Sequence, residues 1–475
     1  MPIHPSHKHK LSLLLAVTGL LASPYATAQT DANTAAAWRA TSRLGYGPTE
    51  STGQAAQQNP KVWASSQVDT AYAASQRAPN IPADLARFNQ SLNTTAKDFQ
   101  AEREARKNIK APAPGALPMT NDGDALGFSR EMQQTAAAWR LMACSDPAVE
   151  NPLLARMTEF WFNHLNVFTG KGSVRPFVGH YVVNVIRPNA LGKFEDLLLA
   201  SARHPAMLFY LDQAQSNVRG LNENYARELM ELHTLGVDAG YSQNDVRELA
   251  RILTGWTVGL QQGEGFRFAE RLHDNGSKIL LGRSFNGGGV REGEDAILML
   301  ARHPATAKRI AKRLATTFVS DKPPQALVDQ LAATFTRTQG DIRSVMRTLI
   351  ESTEFWKADN TLFKTPLDFA CSALTAGGGA KDRRDIQLTL GFLAQAGQPL
   401  HGWQTPDGYK TDAATWLAPE ALTRRADYAM ALSNRINEVT YLQPFLSVAS
   451  RERIAREQPA TRTGLTLASP DFMSK

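Results

Sequence analysis

Residues 151–165, NPLLARMTEFWFNHL, decide the fold class. The segment opens on Asn151-Pro152, an amide able to cap a helix followed by proline at the first helical position, where a missing N–H costs nothing. Leu153, Leu154, Met157, Phe160, Trp161, His164 and Leu165, with Phe168 beyond, then recur at the spacing of a helix that buries one face. Ser242–Gly255 repeats the grammar. Ser242-Gln243-Asn244-Asp245 resembles a capping box, Val246, Leu249, Ala250 and Leu253 supply the apolar stripe, and Gly255 ends the helix. Long strand-like alternation is scarce. One candidate hairpin joins Phe266-Arg267-Phe268 to Ile279-Leu280-Leu281 through a turn at Asn275-Gly276. The expected fold is mainly α: a large multi-helix domain with a small β-hairpin.

Outside these helices the chain changes character several times. At the N-terminus, Lys8 and Lys10 precede the short apolar run Leu11–Leu21, and Ala26-Thr27-Ala28 offers a cleavage site. This is the layout of a secretory signal over residues 1–28, too short in its apolar part to span a bilayer. No cysteine follows it to carry a lipid, and no twin arginine precedes it. Its removal takes away two lysines and no acids, so a formal charge of +7 falls to +5. The mature chain, 29–475, is expected to be one large helical domain, exported to the periplasm or beyond, with no membrane span. Segment 83–110 is polar and predicts an exposed helix, and the Pro/Gly-rich stretch near 111–124 predicts a mobile loop. With 43% hydrophobic and 20% charged residues over 475 positions, a disordered or disulfide-stapled chain is excluded. The small basic excess argues against nucleic acid as a partner. Cys144 and Cys371, the two cysteines, either pair in an oxidising compartment or pack as buried thiols. A short echo relates Glu195-Asp196 with Ala202–Ala206 to Glu294-Asp295 with Ala301–Ala305. A reused His-Pro helix cap explains it more simply than a duplicated helical unit.

The chemistry-bearing segment is Asn222–Gly236, read as one helix capped by Asn222 and ended by Gly236. At ~100° per residue, Glu223, Arg227, Glu231, Asn224 and Glu228 share one side. Two i,i+4 pairs, Glu223–Arg227 and Arg227–Glu231, make a solvated salt-bridge ladder the plain explanation. The functional one takes Glu228 and Glu231 as a general acid and base or as oxygen ligands of a divalent cation, with Arg227 satisfying only part of the carboxylate charge. Three more residues are candidates for that centre. His164 lies on an apolar helix face, where a satisfied core histidine is the commoner outcome. His273 and Asp274 sit at the expected hairpin turn, where Asp274 bonding its own backbone competes with a ligand or acid/base pair. His164, Glu228, His273 and Asp274 are thus the candidate metal ligands, and Arg227, Glu228, Glu231, His273 and Asp274 the candidate catalytic groups. The zinc helix His-Glu-x-x-His, the Gly-x-Ser-x-Gly elbow, the phosphate loop and Cys-x-x-Cys are all absent from the sequence.

In order along the chain stand Arg43–Thr49 (RLGYGPT), Phe160–His164, Arg187–Phe194, His204–Met207 and Tyr210–Asp212. Asn222–Gly236, Asp245–Trp256, His273-Asp274 with Lys278 and Gly282, and Gly397–Pro399 follow, then Pro406–Tyr409 with Trp416 and Arg424. With these motifs the chain resembles the bacterial domain-of-unknown-function 1800 family over most of its mature length. Two positions depart from the pattern: Phe162 stands where members often carry histidine, and His233 where they carry an aromatic residue or histidine. The resemblance implies an exported bacterial protein whose gene often lies beside one for an exported sulfatase-like protein, a possible partner. Two functions compete. One is a hydrolase with a carboxylate/histidine centre, with or without a metal. The other is a helical accessory or scaffold protein for that partner, with Arg227 as the hub of a buried network.

Overall fold

The structure, a computed structural model, describes residues 32–108, 127–359 and 361–475. The signal expected over 1–28 and the loop expected near 111–124 lie outside them. Helices dominate. Pro152–His164 forms as expected, with Asn151 Oδ1 accepting from Leu154 N at 3.1 Å. Gln243–Ile252 starts with the capping box, Ser242 Oγ accepting from Asp245 N and Asp245 Oδ2 accepting from Ser242 N. Among the described residues no helix is long and apolar enough to cross a membrane.

The buried apolar side chains fall into two clusters. The larger gathers Leu153, Trp161, Phe194, Leu229, Trp256, Ile310 and Phe318. The second gathers Phe369, Phe392, Tyr428, Leu432 and Phe472 around the helix Pro366–Ala376, every residue of which is buried. A helix buried on every side is enclosed by others, and its one charge, Asp368, is paired. A disulfide, Cys144–Cys371, ties it to the helix Phe128–Ser145 across a sequence separation of 227.

The expected hairpin pairing is corrected. Strand β1 (Trp256–Val258) pairs antiparallel with β2 (Phe266–Phe268), and β3 (Lys278–Leu280) with β4 (Arg283–Phe285). Residues 266–268 therefore do not meet 279–281. Leu281 and Gly282 both adopt positive φ, 49° and 78°, which closes a tighter two-residue turn within β3–β4. Asn275-Gly276 instead follows an Asx turn, Gly276 N donating to Asp274 Oδ1 at 2.9 Å.

Asn222–Gly236 is also not one α-helix. Asn224–Glu228 is α, Leu229–His233 winds as a π turn, and Gly236 leaves at φ 90°. The wider turn rotates everything after Glu228 out of the α phase. Arg227 accordingly reaches Glu223 at 3.1 Å and Gln243 at 3.0 Å, and the expected Arg227–Glu231 pair does not form. Segment 83–110 holds the expected helix, Leu92–Asn108, exposed or half-buried along most of its length but burying Thr95, Ala96, Phe99 and Glu102, the last accepting from the Ser129 hydroxyl.

The sequence echo acquires a geometry. His204 Nδ1 accepts from Ala206 N and His303 Nδ1 from Ala305 N, each at 3.2 Å, so the cap is indeed reused. Beyond the caps, Glu195 pairs with Arg302 and Glu294 with Arg203, each acid bridging to the other copy's arginine. The helices Phe194–Ala202 and Val290–Ala301 that carry these acids pack together. Reciprocal contact of this kind is what a local two-fold between two like units produces. A duplicated helical unit therefore accounts for more of the observations than a reused cap alone.

Candidate functional site

The helix Pro304–Phe318 builds one wall of the site. Thr306, Ala307, Ile310, Ala311, Leu314, Ala315 and Phe318 are buried, a stripe set by the helical period. The same period puts Lys308, Arg309, Lys312 and Arg313 together on the other side, where they line a cleft of about 910 Å³. Lys410, on the loop 407–412, lines it too. Among the described residues none of these five cations pairs with a carboxylate, although Arg309 Nε donates to Leu232 O at 2.9 Å. The crowding has an electrostatic signature. Burial first, and then Arg309, bring the Arg313 guanidinium down to about 10, and burial also lowers Arg309 against the pull of Glu231. Like charges sharing a partly desolvated wall destabilise one another until a counter-charge arrives.

The floor is a buried ionic network. Arg156 forks onto Asp368, Nη1 to Oδ1 and Nη2 to Oδ2, and Lys475 Nζ reaches the same carboxylate. Burial alone raises the Asp368 carboxyl, but Arg156 and Lys475 outweigh it and hold the group far below the ordinary carboxylate range. Beside this, Arg140 pairs with Glu159, and Tyr409 Oη donates to Glu159 Oε1 at 2.8 Å. Burial, reinforced by Glu159, pushes the Tyr409 phenol well above its usual value.

Asn163 holds the loop 407–412 in place. Its Oδ1 accepts from Tyr409 N at 2.8 Å and its Nδ2 donates to Tyr409 O at 3.0 Å. Gly408 is needed at this clamp: φ is 73°, and a Cβ there would lie 2.1 Å from Asn163 O. The clamp sets Asp407 at the cleft, within electrostatic reach of Glu228. Burial, then Glu231, raise the Glu228 carboxyl above its ordinary value; Arg227 opposes them and Asp407 adds to them.

The six residues singled out from the sequence divide into three places. Glu228, Glu231 and Arg227 share the segment beside the cleft: Glu228 interacts with Asp407, and Glu231 with Arg309. His164 is buried behind the basic wall, Nε2 3.0 Å from His233 O, and burial followed by Arg313 and Arg309 keeps its pKa well below normal. His273 and Asp274 belong to another network, at the hairpins. His273 Nδ1 bonds Thr254 O at 2.8 Å and Nε2 lies 2.9 Å from Glu292, which also binds Lys278. Asp274 is held by Arg251 at 2.8 Å, and that hydrogen bond lowers its pKa against burial. Among the described residues no group of three or more His, Cys, Asp or Glu is arranged to hold a metal ion.

The profile of the family described as "Protein of unknown function (DUF1800)" matches residues 39–474. The chain belongs to this family. No curated protein and no solved structure matches it. The family span takes in every wall of the cleft except Lys475. Sequence reasoning missed the basic face of the Pro304–Phe318 helix, although Lys308-Arg309 and Lys312-Arg313 opposite an apolar stripe is a readable signal. Asp407, Gly408 and Tyr409 stand in a recognisable motif, but their place at the cleft has no signal in the sequence. The Arg156–Asp368–Lys475 floor had no local signal, being assembled from distant segments.

Proposed function

We propose that this DUF1800 chain is an exported protein that takes an anionic ligand into the cleft and hydrolyses it. One observation carries the reading: five cations that pair with no carboxylate among the described residues line a single large cleft. A bound anion supplies the missing counter-charge. For the hydrolytic step the reading takes Glu228 as the proton donor: it does not line the cleft but interacts with Asp407, which does, and burial, then Glu231, raise its carboxyl above the ordinary value. Glu231 and Asp407 are the carboxylates available to activate water, and Arg227 steadies Glu223 beside them. His164 orders the wall from behind. His273 and Asp274 position the hairpins and stand outside this chemistry, and no metal is invoked.

Export is supported by the signal-like residues 1–28 and by the disulfide, since such bonds persist in oxidising compartments. Cell fractionation with N-terminal sequencing tests it, the expected mature start being Gln29. Ligand uptake is tested by calorimetry of the mature protein with inorganic sulfate at low ionic strength. Binding that disappears in Lys312→Glu is expected, and no heat at any sulfate concentration refutes it. Hydrolysis is tested by Glu228→Gln, which keeps binding but stops turnover. Binding without turnover in the wild-type protein moves the assignment to the accessory role beside a sulfatase-like partner.

A further inference from the structure

The cleft is lined by more than cations, and its mixed character narrows the ligand. Lys308 and Lys312, and likewise Arg309 and Arg313, are one helical turn apart, about 6 Å along the axis. Two such rows side by side suit a ligand with successive anionic groups better than one small ion. Part of the remaining lining opposes these rows electrically: Asp238, Asp321, Asp407 and Asp412 are carboxylates, and Thr316 and Thr317 add hydroxyls. Asp238 forms no ion pair among the described residues. A uniformly charged chain such as a polyphosphate or nucleic acid gains on the basic rows and loses against these acids. Base stacking has no platform either, as the aromatic residues in the lining are Phe160, 6% exposed, and Tyr409, fixed to Glu159. A chain that alternates acidic groups with hydroxyls satisfies both parts: its anions meet the lysines and arginines, and its hydroxyls donate to the carboxylates. A volume near 910 Å³ lies at the upper end for ligand pockets and admits several linked units rather than one.

We propose that the ligand is a linear acidic oligosaccharide, a chain of sugars bearing carboxylate or sulfate groups, seated with those groups on Lys308, Arg309, Lys312 and Arg313 and its hydroxyls towards Asp407 and Asp238. This rests on the anion-binding reading of the cleft and goes beyond it in naming the ligand chemistry.

The test is calorimetry of the mature protein with five probes: a short oligogalacturonate, a sulfated galactan oligomer, a neutral galactan oligomer of equal length, inorganic sulfate, and a single-stranded oligonucleotide. At least one acidic oligosaccharide is expected to bind tenfold or more tighter than sulfate, the neutral oligomer and the oligonucleotide. Which acidic probe binds tells carboxylate from sulfate. Lys308→Glu and Lys312→Glu, both at exposed positions, weaken that binding at least tenfold. Asp238→Asn lowers the ratio of oligosaccharide to sulfate affinity, and an unchanged ratio overturns the seating of hydroxyls on that acid. If sulfate binds and neither acidic oligosaccharide binds tighter, the oligosaccharide assignment is overturned and the anion-binding reading stands. If the oligonucleotide binds tightest, the assignment is overturned in favour of nucleic acid. If nothing binds, sulfate included, both fall together.

Discussion

Acidification to pH 5.5 is expected to destabilise this protein through its histidines. His164, His204, His233 and His401 are buried, and burial is the leading cause that lowers the pKa of each, to about 3 for His233. Their contacts agree with neutral rings. His204 Nδ1 accepts from Ala206 N and so carries no proton, while neither nitrogen of His401 has a hydrogen-bond partner among the described residues. The sign follows. In the unfolded chain an imidazole protonates below about pH 6.5, whereas in the native protein these four do not, so falling pH draws the equilibrium towards the unfolded chain. One unit below that pKa each ring costs about 1.4 kcal/mol, and four cost roughly 5–6 kcal/mol, a large part of ordinary domain stability. The carboxylates do not mask this window. Asp245, Asp274, Glu292 and Asp368 have lowered pKa values, so their stabilisation is intact at pH 5.5 and is lost only on further acidification. Glu228, raised, favours the native state slightly as pH falls. The assay is proton uptake on urea unfolding, read from the slope of unfolding free energy against pH between 5 and 7. About 0.9 proton per ring is expected at pH 5.5, and His180, which burial lowers to about 4, adds a fifth ring, so four to five protons in all. His204→Asn, which retains a capping side chain, should lower the count by about one. An uptake below one proton refutes the assignment of these rings as buried and neutral.

Three further outcomes test other parts of the structure. Asp368→Asn leaves Arg156 and Lys475 buried without their carboxylate and should cost about 3–5 kcal/mol, while Arg227→Ala, whose side chain is 40% exposed, should cost under about 1 kcal/mol in the same urea melts. Equal losses would show that the buried hub has been misplaced. Gly408→Ala must displace the loop 407–412 from Asn163, and a thermal shift assay should show both a lower Tm and weaker sulfate binding; normal behaviour in both would count against the clamp. Replacing Cys144 and Cys371 together by serine should destabilise the fold by about 2–5 kcal/mol, because the bridge closes a long loop. No change on replacement or on reduction would mean the bridge is unformed in solution.

Much of the scaffold was legible because its signals are local. Asn151-Pro152 and the capping box at Ser242 fixed helix starts from a few adjacent residues, and apolar spacing fixed the buried faces. Failures arose where a non-local or backbone preference decided. Asn275-Gly276 is a strong hairpin signal, yet Asp274 captured its turn through Arg251 and its own backbone, and Leu281-Gly282 closed the hairpin instead. The stripe on Asn222–Gly236 assumed 100° per residue throughout, and a π turn at Leu229–His233 broke the phase between Arg227 and Glu231. The ionic floor joins Arg156, Asp368 and Lys475 from segments whose proximity no spacing encodes.

The duplicated unit explains why the cleft has its basic wall where it does. After the shared His-Pro cap, the first copy runs only from Pro205 to Tyr210, and Pro205, Ala206, Met207, Leu208 and Tyr210 are all buried. The second runs from Pro304 to Phe318, long enough for an apolar stripe and an opposite polar face to coexist. The salt bridges Glu195–Arg302 and Glu294–Arg203 hold the two units against each other through the turns just before those helices. One copy is thereby committed to the core, and the other is free to turn Lys308, Arg309, Lys312 and Arg313 outward. Breaking the reciprocal bridges should therefore affect the cleft as well as stability. The double substitution Glu195→Gln with Glu294→Gln should weaken sulfate binding, although neither residue lines the site. Restored binding in a charge-swapped protein, Glu294→Arg with Arg203→Glu, would locate the effect in the pairing of the two units. Unchanged binding in the double glutamine protein would show that the second helix holds its place without the first.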